Sequence, residues 1–253
     1  MSMGATATLA AVGGLVMGSF VTVVAHRVPR RLSIVGPRSL CPRCGAQIAA
    51  YDNIPVLSWA LLRGRSRCCG EPISARYPAA ELTLAALFVA TAVVLRDQPA
   101  EMLLGFVFVA TLVAVSLTDL EQRVIPNRLL LASAILGSAI VAAADPSSLP
   151  ERAAAAIGAG GVLFAAALAY PRGMGMGDVK LAALMGLYLG RSVIPALLIA
   201  VALGSLLGLA LIARHGAAAR KRAIPFGPFL AAGGVIGLLA GPELIDLYLG
   251  TFS

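Results

Sequence analysis

Eight long apolar segments dominate this chain, and all but one of the polar stretches between them are short. A hydrophobic share of 59% and a charged share of only 13% leave it with about half the charge of a soluble domain, in which about 25% of residues are charged. Most segments approach the roughly 17–25 residues that a helix needs to cross a bilayer, although the sixth is short and begins with charged residues. They lie near residues 5–25, 79–95, 101–118, 128–144, 153–170, 178–190, 193–213 and 224–249. The pattern predicts an all-α, polytopic membrane protein with about eight transmembrane helices and excludes a water-soluble enzyme.

The basic residues are distributed unevenly between these segments. Of the 20 Lys and Arg residues, 17 fall in four stretches that the alternation of spans places on one side, and 3 fall on the other. The four stretches are 26–78, 119–128, 171–180 and 214–223. Because Lys and Arg concentrate in cytoplasmic loops, we expect these stretches in the cytoplasm and both termini outside it. The net charge of +8 then reflects orientation in a lipid bilayer. No nucleic-acid partner is expected, since the Arg-rich stretch 63–67 lacks interleaved stacking aromatics.

The spans divide the chain into three predicted parts. Residues 1–25 form a first transmembrane helix, residues 26–78 a small Cys-containing cytoplasmic domain, and residues 79–253 a transmembrane domain. A soluble stretch of about 50 residues is only marginally stable by itself. The cytoplasmic domain is therefore expected to need a stabilising cross-link.

Two aspartates lie at the ends of apolar segments, where ionisable groups are costly and commonly functional. Asp119 ends the third span, and Asp178 opens the sixth after a glycine-rich turn. Two carboxyl groups that share a site do not both ionise readily, so one can draw a proton from water while the other polarises a peptide carbonyl. Each aspartate alone could equally be an interfacial charge or a helix cap. Composition does not choose between this pair and three further acidic residues predicted on the same side: Glu121, Glu81 and Asp52.

Several separate motifs resemble those of bacterial type IV prepilin leader peptidases. The most specific is the GxGD signature of membrane aspartic peptidases, Gly175-Met176-Gly177-Asp178. Further matching motifs, in the order of the family, are Gly18-Ser19-Phe20, His26-Arg27-Val28-Pro29, Cys41-Pro42-Arg43-Cys44, Tyr51-Asp52-Asn53-Ile54-Pro55, Pro72-Ile73-Ser74, Asp119-Leu120 and Ile224-Pro225-Phe226-Gly227-Pro228-Phe229. The resemblance covers most of the chain, from residue 17 to residue 235.

The resemblance implies a membrane aspartic endopeptidase that removes the leader of type IV prepilins or pseudopilins, with Asp119 and Asp178 as the catalytic pair. It also implies that Gly175, Gly177 and Lys180 belong to the active-site loop that binds the substrate. The two glycines permit positive φ and close approach of a substrate backbone. The implied location is the bacterial inner membrane, with the active site facing the cytoplasm. Many family members also N-methylate the new terminus with S-adenosylmethionine, so a methyltransferase-associated role is expected for residues 26–78.

The four cysteines depart from the family pattern, in which two C-x-x-C hooks make a plausible four-thiolate zinc site. Cys41 and Cys44 form one hook, with spacing that lets two thiolates bind one tetrahedral Zn²⁺. A second hook ending at Cys69 would need a cysteine at position 66, where this chain has Ser66, and Cys68 lies beside Cys69 instead. A structural zinc ion is expected, held by three thiolates and another ligand or by all four after rearrangement. Free buried thiols are the alternative, and the reducing cytoplasm disfavours a disulfide.

A proton-coupled transporter is the rival function. It would use Asp119 and Asp178 as a proton relay facing a path through the bilayer, with partners near the midplane. The predicted position of both aspartates at one edge of the bilayer favours the peptidase. An inactive scaffold, or a methyltransferase alone, is disfavoured by the intact pair of aspartates.

Overall fold

The computed structural model describes residues 2–36, 39–41, 43–171, 173–216 and 224–250. These residues form helices joined by turns and two isolated β-bridges, with no β-strand among them. The chain divides into two compact units, Met1–Asp97 and Gln98–Ser253. Five of the basic residues counted in the sequence analysis and Pro42 of the first cysteine motif lie outside the described ranges. The basic residues are Arg38, Arg172, Arg220, Lys221 and Arg222.

The first unit contains two long helices, α1 (Met3–Arg27) and α3 (Arg76–Val94), with a short helix α2 (Leu57–Leu61) between them. The long helices pack directly on each other through small residues, as apolar helices do in lipid. A methyl group added at Gly14 would lie 2.6 Å from the Ala85 backbone, and one at Gly18 would lie 2.6 Å from Cα of Glu81. This packing groups α3 with the first unit, whereas the sequence analysis placed it in the C-terminal domain.

The described part of the second unit contains six α-helices. Pro99 occupies the first turn of the first of them, where its missing N–H leaves no intrahelical hydrogen bond unmade. The same helix ends at Arg123, which adopts a left-handed conformation (φ 54°). The six helices are α4 (Pro99–Gln122), α5 (Asn127–Ala144), α6 (Leu149–Ala169), α7 (Met176–Leu189), α8 (Val193–His215) and α9 (Gly227–Gly250).

Seven helical stretches of the described residues are long and apolar enough to cross a membrane. One of them, Met176–His215, is 40 residues long and is interrupted by a 3₁₀ turn at Gly190–Ser192, where Gly190 has φ 54°. The interruption separates α7 from α8, so the described residues contain eight helices of 14 residues or more. The predicted all-α, multi-pass membrane fold is confirmed.

The core of the second unit surrounds a small polar network. Tyr188 Oη donates to the Ser133 carbonyl oxygen (2.7 Å) and shares a hydrogen bond with Ser133 Oγ (2.9 Å), which also accepts from Thr111 Oγ1 (2.9 Å). The Tyr188 ring stacks on Phe108 at a centroid distance of 4.8 Å, and Gly137 leaves room for it. Hydrogen bonding satisfies these buried hydroxyls, so the network ties α4, α5 and α7 together.

Candidate active site

Asp119 lies in the last turn of α4 and is buried, with 6% of its surface exposed. Its Oδ2 accepts a hydrogen bond of 2.8 Å from the backbone N–H of Gly227, at the start of α9. A methyl group added at Gly227 would lie 2.7 Å from that same oxygen. Only glycine therefore brings the α9 backbone this close to the carboxylate.

Asp178 lies in the first turn of α7 and is also buried. Its Oδ2 accepts from the backbone N–H of Gly175 (3.2 Å), and its own N–H donates to the Gly175 carbonyl oxygen (3.1 Å). This reciprocal pair caps the N-terminus of α7, where a carboxylate is also favoured by the helix dipole. The glycine-rich motif thus fixes the orientation of the Asp178 side chain.

Asp119 at the end of α4 and Asp178 at the start of α7 lie in the same unit, in two helices that pack against each other. A methyl group at Gly177 would lie 2.9 Å from Cβ of Ile125, so Gly177 allows the turn to approach the segment between α4 and α5. Lys180 Nζ donates to Asn127 Oδ1 (3.0 Å) and joins α7 to the start of α5. Gly175 therefore contacts Asp178 directly, whereas Gly177 and Lys180 join the turn to the segment that follows α4.

The other acidic candidates lie elsewhere. Glu121 follows Asp119 in α4 but is exposed to solvent. Glu81 and Asp52 belong to the first unit. The sequence analysis assigned no role to Gly227, although the Gly-Pro pair at the start of an apolar segment was a signal of a constrained backbone at a helix N-terminus.

The cysteine loop, residues 39–74 of the first unit, contains two turns of the same design. The bridges Leu40↔Gln47 and Arg65↔Pro72 close them. In each turn the backbone N–H of the first residue donates to the carbonyl oxygen of the sixth. The bonds run from Cys41 N to Ala46 O and from Ser66 N to Glu71 O, both at 2.8 Å. Gly45 and Gly70 occupy equivalent positions with φ near 70°. By this equivalence, Ser66 stands where the first turn has Cys41.

All four thiols of the loop converge, with sulfur atoms within 4.8 Å of one another. The Sγ atoms of Cys41 and Cys69 lie 3.6 Å apart. Sγ of Cys68 lies 3.3 Å from Sγ of Cys44 and 3.9 Å from Sγ of Cys69. Backbone hydrogen bonds from Cys44 and Arg43 lower the pKa of Cys41 to about 6. The hydrogen bond shared with Cys44 raises the pKa of Cys68 to about 12.

A cavity of about 1010 Å³ opens in the first unit. Residues from α1, from the cysteine loop and from the start of α3 line it, including the aromatic side chains of Tyr51, Trp59 and Tyr77. The cavity volume matches that of sites for small organic ligands, roughly 300–1,000 Å³.

The cavity wall also contains an ion pair. Arg67 donates to both oxygens of Asp52 at 2.8–3.1 Å, and this contact holds the pKa of Asp52 below its usual range.

Two family profiles match consecutive parts of the chain. The profile described as the bacterial peptidase A24 N-terminal domain matches residues 12–95. The profile described as the type IV leader peptidase family matches residues 106–213. The boundary between them coincides with the boundary between the two structural units.

Curated relatives match the chain almost end to end. A prepilin leader peptidase/N-methyltransferase of Bacillus subtilis is 36% identical over 240 residues, which cover 93% of this chain and 95% of the relative. Proteins of the same name from Aeromonas hydrophila (36% identical; 94% and 92% covered) and Burkholderia pseudomallei (37% identical; 90% and 83% covered) are similarly close. No solved structure matches the chain.

Proposed function

Since the chain belongs to the type IV leader peptidase family and is related to prepilin-processing enzymes, we propose that it is an aspartic endopeptidase that removes prepilin leaders with Asp119 and Asp178. One observation supports this assignment above all others. Two buried carboxyl groups lie at the ends of helices that pack against each other, and a glycine N–H donates to one oxygen of each. We infer that the two carboxyl groups share a proton when they meet around the substrate, since like charges at short range do not both persist.

The reaction needs only these side chains and a water molecule. The ionised carboxylate removes a proton from the water, which attacks the carbonyl carbon of the leader junction. The protonated partner polarises the carbonyl oxygen and then donates its proton to the leaving amine. The glycine N–H groups hold Oδ2 of each aspartate, which leaves Oδ1 of each for the reacting groups.

Asp119→Asn and Asp178→Asn test this mechanism, because each keeps the side-chain volume and removes the titrating group. Mass spectrometry of a co-expressed prepilin should show leader removal slowed on the order of 10²–10⁴-fold. Glu121→Gln, which alters an exposed carboxyl in the same turn of α4, is the matched control and should process normally. Normal processing by either aspartate variant contradicts the mechanism. Intact processing together with lost proton uptake into vesicles would favour a transporter.

The proposed orientation places the aspartates at the cytoplasmic face of the bacterial inner membrane and both termini outside it. The 17-to-3 division of basic residues supports this topology. Reporter fusions after residue 123 and after residue 191 test it. The first fusion should report the cytoplasm and the second the opposite side, and the reverse pattern overturns the orientation.

The first unit supports a second proposed activity, N-methylation of the new terminus. The N-terminal family profile covers this unit, the relatives are named for both activities, and the unit has its own cavity. We assign the cavity to S-adenosylmethionine, with the rings of Tyr51, Trp59 and Tyr77 as contacts for its adenine. When bound, this cofactor supplies an electrophilic methyl group. The mass of the processed prepilin tests the activity directly, since the methylated product is heavier by one methyl group.

Zinc fits the thiol cluster. Four thiolates at about 2.3 Å from a tetrahedral Zn²⁺ lie roughly 3.8 Å from one another, and the three measured pairs lie at 3.3–3.9 Å. We therefore propose a structural zinc ion held by Cys41, Cys44, Cys68 and Cys69. Cys68 would supply the thiolate that is missing at Ser66, whose hydroxyl lies 3.2 Å from Cys69.

Metal analysis of purified variants tests this arrangement. Cys68→Ser should lower the zinc content, whereas the double variant Ser66→Cys, Cys68→Ser should restore it by moving the thiolate to the position equivalent to Cys41. Zinc content unchanged in Cys68→Ser shows that Cys68 is not a ligand. If the purified wild type contains no zinc, the proposal of a zinc site is contradicted.

A further inference from the structure

Glu81 is a buried carboxyl group outside the proposed peptidase site. It lies in the second turn of α3, is 6% exposed, and lines the cavity of the first unit. A carboxylate at this depth is costly unless a cation or several hydrogen bonds compensate it. Its surroundings therefore indicate what the cavity binds.

The other carboxyl groups of the cavity have cationic neighbours within this unit. Asp52 forms a two-pronged ion pair with Arg67, and Glu71 is half-exposed and 3.9 Å from Arg43. Among the described residues, Glu81 instead accepts a single hydrogen bond, from the Val56 N–H at 2.7 Å, and no basic side chain lies within 4.0 Å of it. Its Oε1 has no hydrogen-bond partner in the same set of residues.

The backbone that meets Glu81 is strained. Val56 has φ 59° and ψ −49°, and Leu57 N donates to Pro55 O at 2.5 Å, which defines a γ-turn of the rare positive-φ type. A β-branched residue adopts this conformation only where its surroundings enforce it, and such strain concentrates at ligand sites. The bond from Val56 to Oε2 holds Glu81 in place at the cavity wall.

The position of Glu81 along α3 narrows the class of ligand. Gly18 of α1 abuts Cα of Glu81, and Ser19 and Thr22 of α1 also line the cavity. The inner wall of the cavity is thus built from two helices that are long and apolar enough to cross the membrane. A polypeptide with an apolar stem of its own could pack beside α1 and α3 in the bilayer and so bring its N-terminal amine to the cavity.

We propose that Glu81 is the recognition group for a cationic amine, namely the free N-terminal ammonium of a polypeptide with an apolar stem. This inference rests on the proposed N-methylation by the first unit and names a residue that selects its substrate. Glu81 acts by binding and orienting the amine.

A binding experiment separates this role from a structural one. The full chain in lipid nanodiscs is titrated with a peptide of about 20 apolar residues, once with a free N-terminal amine and once N-acetylated. The wild type should bind the free amine about tenfold more tightly, because the contact is a charge-assisted hydrogen bond. Glu81→Gln keeps an acceptor for the Val56 N–H and should abolish the preference, while it binds the acetylated peptide as the wild type does. Asp97→Asn, which alters an exposed carboxylate of the first unit outside the cavity, is the control and should keep the preference.

The outcomes are distinguishable from those of the proposed function. A wild type without preference, or a Glu81→Gln variant that retains it, overturns the role of Glu81. Prepilin methylation is measured in parallel by mass. Methylation without a preference for the free amine contradicts the role of Glu81 alone. A preference for the free amine without methylation supports the role of Glu81 and contradicts the proposed methyltransferase activity.

Discussion

The two units differ in how they position the residues of their candidate sites. In the second unit, both aspartates lie at helix ends, and most of the largest fully buried side chains belong to its helices, such as Phe108 and Met185. In the first unit, the described part of residues 28–75 buries only Cys41, Ser58 and Gly64. Six of the nine described residues with positive φ also lie in the first unit. A packed core positions the proposed peptidase site, whereas the loop side of the cavity depends on hydrogen bonds and on the proposed zinc ion.

Metal removal should expose this contrast most strongly. Structural zinc contributes on the order of 10 kcal/mol to the folding of small modules, so a chelator should unfold the cysteine loop and leave α4–α9 folded. Hydrogen exchange measured by mass spectrometry is expected to show protection lost in residues 39–74 and retained in the second unit. Equal protection with and without chelator would show that the loop needs no metal.

Gly227→Ala should damage the second unit alone. The new methyl group would lie 2.7 Å from Oδ2 of Asp119, and a displacement of about 1 Å in a catalytic group can cost about 100-fold in rate. Leader cleavage is expected to fall by about that factor while methylation of pre-cleaved substrate persists. Gly161→Ala in α6, where a methyl group meets no atom within 4 Å, serves as the control. Full activity in Gly227→Ala would mean that the N–H contact is dispensable.

Tyr188→Phe tests how far the core of the second unit depends on its polar network. The substitution keeps the ring that stacks on Phe108 and removes the hydroxyl bonded to Ser133. Because Ser133 Oγ loses a buried partner, the free energy of unfolding should drop by about 1–3 kcal/mol. Denaturant unfolding in detergent measures this, with the exposed Tyr170→Phe as the control. A loss equal to that of the control would show that the network adds no stability.

The smallest expected effect concerns Asp52 and pH. Arg67 lowers the pKa of Asp52 in the folded state, so the pair stabilises the first unit above the carboxyl's ordinary pKa. This contribution declines as the pH falls through the lowered value. Asp52→Asn should destabilise the first unit at neutral pH and remove that part of its acid sensitivity, as thermal unfolding would show. Asp97→Asn, which alters an exposed carboxylate, should leave both unchanged; identical acid profiles for wild type and Asp52→Asn would contradict the pairing.

The number and order of the eight long helices among the described residues followed from the apolar segments alone, because hydrophobic length sets what can cross a bilayer. The grouping of α3 with the first unit did not follow from the apolar segments. Its pairing with α1 depends on Gly14 and Gly18, whose close backbone contacts arise only when the two helices meet. The 40-residue stretch Met176–His215 was divided correctly at Gly190, where the apolar run pauses at a charged residue.

The sequence by itself also supplied the candidate residues for the proposed chemistry. The GxGD motif marked Asp178, and the end of an apolar span marked Asp119. Only the tertiary structure decided that Gly227, more than 100 residues along the chain, donates to Asp119. It also brought Cys68 into the thiol cluster in place of Ser66 and buried Glu81 against a strained Val56. Residue type and local spacing limit the available chemistry, whereas contacts between distant backbone segments depend on packing that no local pattern records.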